Sequence, residues 1–173
     1  ARERAERALS ELRAYQAALD KHAIVSVTDP SGAITHVNER FCQVSQYRPD
    51  ELVGRTHRLV NSGTHPPSFW AEMWRSVNAG RSWNAEVCSR ARDGTLYWAD
   101  TTIVPVQDAQ SHVIEHVAIR TDITQRKQLE EQLRSAALTD GLTQLPNRAS
   151  ILGKLHDAVL RARSGIKDPR RPI

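Results

Sequence analysis

The chain opens on a helical period. Ala5, Leu9, Leu12, Gln16 and Leu19 recur at spacings of 4, 3, 4 and 3 with Arg and Glu between them, which predicts an amphipathic N-terminal helix with a short heptad seam over residues 1–22. So brief a seam is marginal alone, and it is expected either on a partner helix or as a cap over a sheet edge. At Ala23 the period becomes that of strands. AIVSVTD and AITHV flank the turn signal DPSG and predict a hairpin. Residues 38–48 and 49–56 predict two short helices, the second with Pro49 and acidic residues in its first turn and Gly54 as its stop. In HPPSFWAEMWRSVNAG, Phe69, Met73 and Val77 lie 4 apart behind Pro66 and Pro67, with Gly80 at the far end, which predicts a longer helix. Three strands follow, SWNAEVCSRA, LYWADTTIVPVQD and HVIEHVAIRTDIT, the first two joined at RDGT. The order β-β-α-α-α-β-β-β predicts an α+β domain, a five-stranded antiparallel sheet with helices on one face.

After residue 124 the pattern is helical again. QRKQLEEQLRSAAL carries Leu129, Leu133 and Ala136, a break falls at Leu145-Pro146-Asn147, and a final amphipathic helix carries Ile151, Leu155 and Val159. No strand pattern follows, so residues 125–138 read as a helical linker and 139–173 as the beginning of a second domain. Residues 23–124 are the one complete domain, consistent with what 173 residues can bury.

Composition narrows the chemistry. The chain is 39% hydrophobic with a mean hydropathy of −0.53, and no apolar run approaches the roughly 20 residues that span a bilayer. ARERAERALSEL has no apolar signal centre, so a cytoplasmic location is expected. Cys42 and Cys88 have no CxxC or Cys/His spacing and predict neither a disulfide framework nor a metal site. The net charge of +4 is concentrated in residues 161–173, where Arg161, Arg163, Lys167, Arg170 and Arg171 face Asp168 alone. No aromatic is interleaved there, so the basic tail predicts no nucleic-acid partner. All four tryptophans, Trp70, Trp74, Trp83 and Trp98, fall between residues 61 and 106, and flat aromatic faces suit a planar ligand. No Ser/His/Asp, paired-carboxylate or phosphate-loop arrangement occurs at usable spacing, so no catalytic residues are expected.

Several words in the chain resemble one family. THVNERF at 35–41, ELVGRTHRLVNSGTHP at 51–66, the FWAEMW helix, the RDGTLYW hairpin and RTDITQRK at 120–127 together resemble the PAS sensor family over residues 23–126. The resemblance implies the PAS fold flanked by signalling helices. His65-Pro66, Met73-Trp74, Trp83 and Tyr97-Trp98 are similar to the flavin-binding PAS members of bacterial aerotaxis and nitrogen-fixation redox sensors. That likeness implies non-covalent FAD, with haem or no ligand as alternatives, and a redox or oxygen signal. The word LTDGLTQLPNR at 138–148 resembles the entry to a GGDEF diguanylate cyclase domain, whose metal-binding and guanine-binding residues lie downstream of it. The resemblance therefore implies cyclase chemistry for the full-length protein and none within residues 1–173. It also implies a homodimer, since such cyclases bring two active sites face to face.

An isoalloxazine needs an apolar slot with an aromatic wall and side chains for its polar edge. If odd strand positions face the helices, Trp83 is that wall, with Ser89 and Thr101 as polar contacts. Asn38, His57, Asn61, His65 and Trp74 would close the helical side, and Trp98 would lie on the outer face. His57 stands where light-oxygen-voltage domains carry their photoactive cysteine, so adduct chemistry is not expected. As the alternative, its imidazole is a candidate haem ligand. Asp122 and Thr124 join the last strand to the exit helix; Thr124 suits an N-cap, Arg126 or Lys127 could reach Asp122, and in the family this element couples the pocket to the output.

Overall fold

The structure, a computed structural model, describes the backbone of residues 2–138 and 148–164 and the side chains of residues 4–137 and 151–160. The chain divides into two units, residues 1–125 and 126–173. The first begins with α1 (Arg2–His22) and the hairpin β1 (Ile24–Thr28) and β2 (Ile34–Val37). Then come α2 (Glu39–Ser45), α3 (Pro49–Leu52), a single 3-10 turn (His57–Val60) and α4 (Pro67–Asn78), and finally β3 (Trp83–Arg90), β4 (Leu96–Gln107) and β5 (Val113–Asp122). The expected order of elements is present, with the 3-10 turn added.

Both short helices are shorter than the sequence predicts. The first ends because Gln46 takes a left-handed conformation (φ 63, ψ 22) and its N–H returns to the Cys42 carbonyl, a helix-terminating geometry. The second is one turn long. Glu51 caps it by accepting from the Arg48 N–H at 2.9 Å, while Val53 is already extended and Gly54 has φ 80.

All five strands form one antiparallel sheet in the order β2-β1-β5-β4-β3. The last strand in sequence is thus the central strand in space. Its register sets Ser26 opposite Ala118 and Thr28 opposite His116 on one side, and Ile103 opposite Ala118 and Thr101 opposite Arg120 on the other. Alternation then turns Ser26, Thr28, His116, Ala118 and Thr101 inward, and all five are buried. Trp83 pairs with Ile103 on the same face. The apolar core is in two clusters. Ile24, Ile34, Phe41, Leu52 and Val60 form one; Met73, Val77, Trp83 and Val87, with Phe69, Trp70 and Trp74 against them, form the other.

Asn38 joins several elements. Its Oδ1 accepts from the N–H groups of Val25 and Phe41, each at 3.0 Å. Its Nδ2 donates to the Ala23 carbonyl at 2.8 Å and to Asp20 at 3.2 Å. One buried amide therefore caps α2, fixes the start of β1 and ties down the end of α1. Elsewhere the seam of α1 is open: Leu9, Leu12 and Leu19 are 48%, 62% and 46% exposed. The helix does not cap the sheet edge with that face.

Residues of α5 (Thr124–Leu138) and α6 (Arg148–Ser164) are helical where the periodicity predicts. Leu129, Leu133, Ile151, Leu155 and Val159 are exposed on them. Residues 139–147, which hold most of the LTDGLTQLPNR word and the Leu145-Pro146-Asn147 break, lie outside the described residues. No helix among the described residues is long and apolar enough to cross a membrane.

Replacing Asn38 by Ala removes a cap and leaves buried backbone groups unpaired. The expected loss is about 2–4 kcal/mol, read as a lower urea midpoint with an unchanged slope.

Candidate functional site

The two core clusters do not meet everywhere. Phe41 and Val60 from one, and Met73, Val77, Trp83 and Val87 from the other, line a cavity of about 700 Å³, a size that suits a small-molecule site. The sheet supplies its floor, with His116, Ala118 and Arg120 of β5 in its middle. The 3-10 turn and α4 supply its other walls through His57, Val60, Trp70, Met73 and Trp74.

One corner is cationic. The Arg120 guanidinium donates through Nη1 to Ser26 Oγ at 2.9 Å and through Nη2 to His57 Nε2 at 3.0 Å, and it lies 5.5 Å from the centre of the Phe41 ring. Ser26 Oγ is also 3.0 Å from His57 Nε2. Because a guanidinium can only donate, that nitrogen is an acceptor and the imidazole is neutral. Burial first, and the Arg120 charge second, push the His57 pKa down to about 3. Burial lowers that of Arg120 to about 10, which leaves it charged at neutral pH. Buried Tyr97 has a side-chain hydrogen bond to Ser89; burial raises its pKa, and the nearby Arg120 charge opposes the rise.

His116, 3% exposed, forms a second polar point. Its Nδ1 is 3.5 Å from Thr28 Oγ1, and its Nε2 is buried with no partner, as is Trp70 Nε1. Trp74 stands edge-on to the imidazole, ring centres 5.7 Å apart. Its indole reaches the β1–β2 turn at Gly32, where a Cβ would come within 2.8 Å of the ring and φ is 88. Only glycine fits that approach without strain.

His57, Asn61, His65, Trp74, Trp83, Ser89 and Thr101 line the cavity, as the sequence suggests. Asn38 does not; all of its amide atoms hold the chain together, as described above. Trp83 is both wall and core, packing edge-on against Phe69 at 5.2 Å. Thr101 Oγ1 donates within its own strand to the Ala99 carbonyl at 3.3 Å. Asn61 and His65 brace the rim. The Asn61 side chain accepts from the Gly63 N–H at 3.0 Å, and His65 Nε2 accepts from the Cys88 N–H at 2.9 Å on the free edge of β3. Ser62 donates to the Cys88 carbonyl at 2.6 Å. Half-buried Trp98 does not line the cavity, and its ring meets His65 edge-on at 5.9 Å.

His57 does not fit an axial haem ligand. Its Nε2 already accepts from a cation, and an iron there would displace that bond and face the guanidinium. Among the described residues no cluster of His, Cys, Asp or Glu could hold a metal ion.

The site residues that sequence reasoning missed are Ser26, Tyr97, His116 and Arg120. A signal for two of them was present: His116, Ala118 and Arg120 share a parity on a β-rich run. Which face that parity takes depends on pairing with a strand from the other end of the domain.

At the exit, Asp122 accepts from the Thr124 N–H at 3.0 Å and from its hydroxyl at 2.6 Å. The Thr124 oxygen in turn accepts from the Trp98 N–H at 2.9 Å, and the Ile123 N–H donates to the Trp98 carbonyl at 2.8 Å. Residues 122–124 thus fasten the start of α5 to β4. Arg126 pairs with Glu130 at 3.7 Å.

Fold and site together define an α+β domain, a five-stranded antiparallel sheet and short helices around a cavity, with α5 following the central strand. The chain belongs to the PAS domain family, whose model matches residues 21–125. It is 32% identical over 111 residues to the nitrogen fixation regulatory protein of Klebsiella pneumoniae, covering 64% of this chain and 22% of that protein. It is 32% identical over 151 residues to the aerotaxis receptor of Escherichia coli K12, covering 84% of this chain and 30% of the receptor. The chain thus spans less than a third of either relative. Among solved structures, an RNA-binding light-oxygen-voltage receptor shares the fold with a TM-score of 0.64 at 21% identity, over 75% of this chain and 38% of that one. A light-oxygen-voltage domain studied with a flavin analogue gives 0.59 at 18% identity, over 72% of this chain and 95% of that one.

The neutral His57 sets a pH dependence. In the unfolded chain it protonates near 6.5, whereas in the fold it stays neutral down to about 3. Below 6.5 the unfolded state holds the extra proton, so stability falls as pH drops towards 3. The slope is up to about 1.4 kcal/mol per pH unit, less where water reaches the ring. His57→Gln should flatten that limb in denaturant titrations across the range.

Proposed function

We propose that the cavity binds a flavin, FAD, without a covalent bond and that the domain is a redox or oxygen sensor. The observation that carries this reading is an aromatic-walled cavity of about 700 Å³ whose lining leaves buried polar atoms, Trp70 Nε1 and His116 Nε2, without partners. Planar rings with a polar rim fit such a lining, because the faces meet Trp83 and Met73 while the rim meets nitrogen and hydroxyl groups. Similarity to a nitrogen fixation regulatory protein and an aerotaxis receptor supports a regulatory role, and similarity to a domain studied with a flavin analogue supports the ligand class. A flavin supplies one- and two-electron exchange coupled to proton uptake. Ser89 and Thr101 supply hydroxyls that can rotate to follow a change of donors and acceptors on the ligand. His57 cannot supply the thiol that a photoadduct needs.

Purified protein should be yellow, with the blue absorbance of an oxidised flavin; a colourless chain, or a haem band, would reject the flavin. Trp83→Ala removes a wall at a cost of about 3–5 kcal/mol and should lower flavin content about tenfold or more while circular dichroism stays native. Trp98→Ala should leave the content unchanged. Equal flavin in wild type and Trp83→Ala counts against that wall.

The same reading extends to the output. The domain works in the cytoplasm as part of a homodimer, with the open seam of α1 and the outer face of the sheet as the contact, and passes its state through Asp122 and Thr124 to an attached diguanylate cyclase. The LTDGLTQLPNR word and the exposed Leu9, Leu12 and Leu19 support this. The full-length protein should sediment as a dimer, and Asp122→Ala in it should keep the flavin yet make cyclase rate independent of redox state. A mutant that switches as wild type does would place the coupling elsewhere.

A further inference from the structure

Arg120 is a cation with no carboxylate beside it among the described residues. Its guanidinium bonds only to neutral groups, Ser26 Oγ and His57 Nε2. Nor does any described Asp or Glu line the cavity, whereas Arg58 and Arg120 do. Arg120 is half-buried and lines the cavity, and a charge partly withdrawn from water favours a counter-ion beside it. Here the nearest place for one is the cavity itself. The neighbouring imidazole cannot serve, because it is neutral and already accepts from the same guanidinium. Ala118, one inward position along the floor, is small enough to let a ligand reach the sheet beside Arg120. The inward position beyond it holds buried His116, which lines the same cavity and whose Nε2 is without a partner.

We propose that the ligand of this cavity carries a negative charge, and that this charge is the counter-ion of Arg120. The inference rests on the cavity holding a small molecule and not on that molecule being a flavin. An anionic group in contact with Arg120 gains a charge-assisted hydrogen bond, whereas a neutral ligand of the same shape leaves the guanidinium without its partner. Arg120 is therefore a specificity-determining residue for ligand charge.

The test uses a pair of dyes on the full chain freed of small molecules: anilinonaphthalenesulfonate, which is an anion, and phenylnaphthylamine, its neutral parent. Flavin content is recorded separately by colour, so failure of the flavin reading and failure of this one are distinct results. Both dyes should compete for one site in the wild type, and Ala118→Leu, which fills the floor, should weaken both. Arg120→Met should weaken the sulfonate by about tenfold or more and leave the parent within about twofold. Arg120→Lys, which keeps the charge, should retain most of the sulfonate's affinity. If Arg120→Met does not fold, Arg120→Gln is read the same way, since it keeps a donor without the charge. Equal weakening of both dyes would make Arg120 a structural residue only. An unchanged sulfonate, or dyes that do not compete in the wild type, would overturn the proposal as well.

Discussion

The pairing of β1 with β5 is the constraint on which the rest depends. These strands come from opposite ends of the domain, and their register, Ser26 against Ala118 and Thr28 against His116, puts β5 in the middle of the sheet. Closing so long a loop costs chain entropy, which is recovered only when the whole floor forms and the helices cover it. Once it has formed, polar residues separated by most of the domain's length share one small volume. Ser26 meets Arg120 across 94 positions and His57 meets it across 63. No local segment contains this site.

The same arrangement explains why the interior is divided. A sheet face of this size could be covered by helices packed directly on it, but α2 and α3 are short and the 3-10 turn is a single turn. Each is held by specific bonds: Asn38 at the start of α2, Glu51 at α3, and the Asn61–His65 segment stitched to the edge of β3. The apolar residues consequently gather in two clusters, with Phe41 and Val60 on one side of the cavity and Met73 and Val77 on the other. A void of this volume in a dry apolar core would be strongly destabilising. A floor bearing Arg120 and His116 is instead suited to an occupant with polar groups.

The central position of β5 also relates the cavity to the exit. Arg120 faces the cavity and Asp122 is the next residue of the same parity, exposed at the strand end and bonded to Thr124. Thr124, bonded to Asp122, in turn links the first turn of α5 to the backbone of Trp98.

Local order was legible in the sequence. The strand period of AIVSVTD, the RDGT turn, the Pro66-Pro67 start of α4 and the heptad spacing of α1 each follow from interactions within a few residues. Parity within β3 and β4 was legible too, because a short turn fixes their register; Trp83 and Thr101 were placed on the cavity side for that reason. Two kinds of residue could not be read. Asn38 looked like a pocket residue because its type suits a ligand, while its four partners, on α1, β1 and α2, meet only in the folded chain. Arg120 reads only as the first residue of the word RTDITQRK, with no site role. Sequence determined which segments were strands, helices and turns, because propensity, capping and turn chemistry act locally. Tertiary structure alone decided which polar residues gather around the cavity, because inward-facing parity on β5 is set by register with a distant strand.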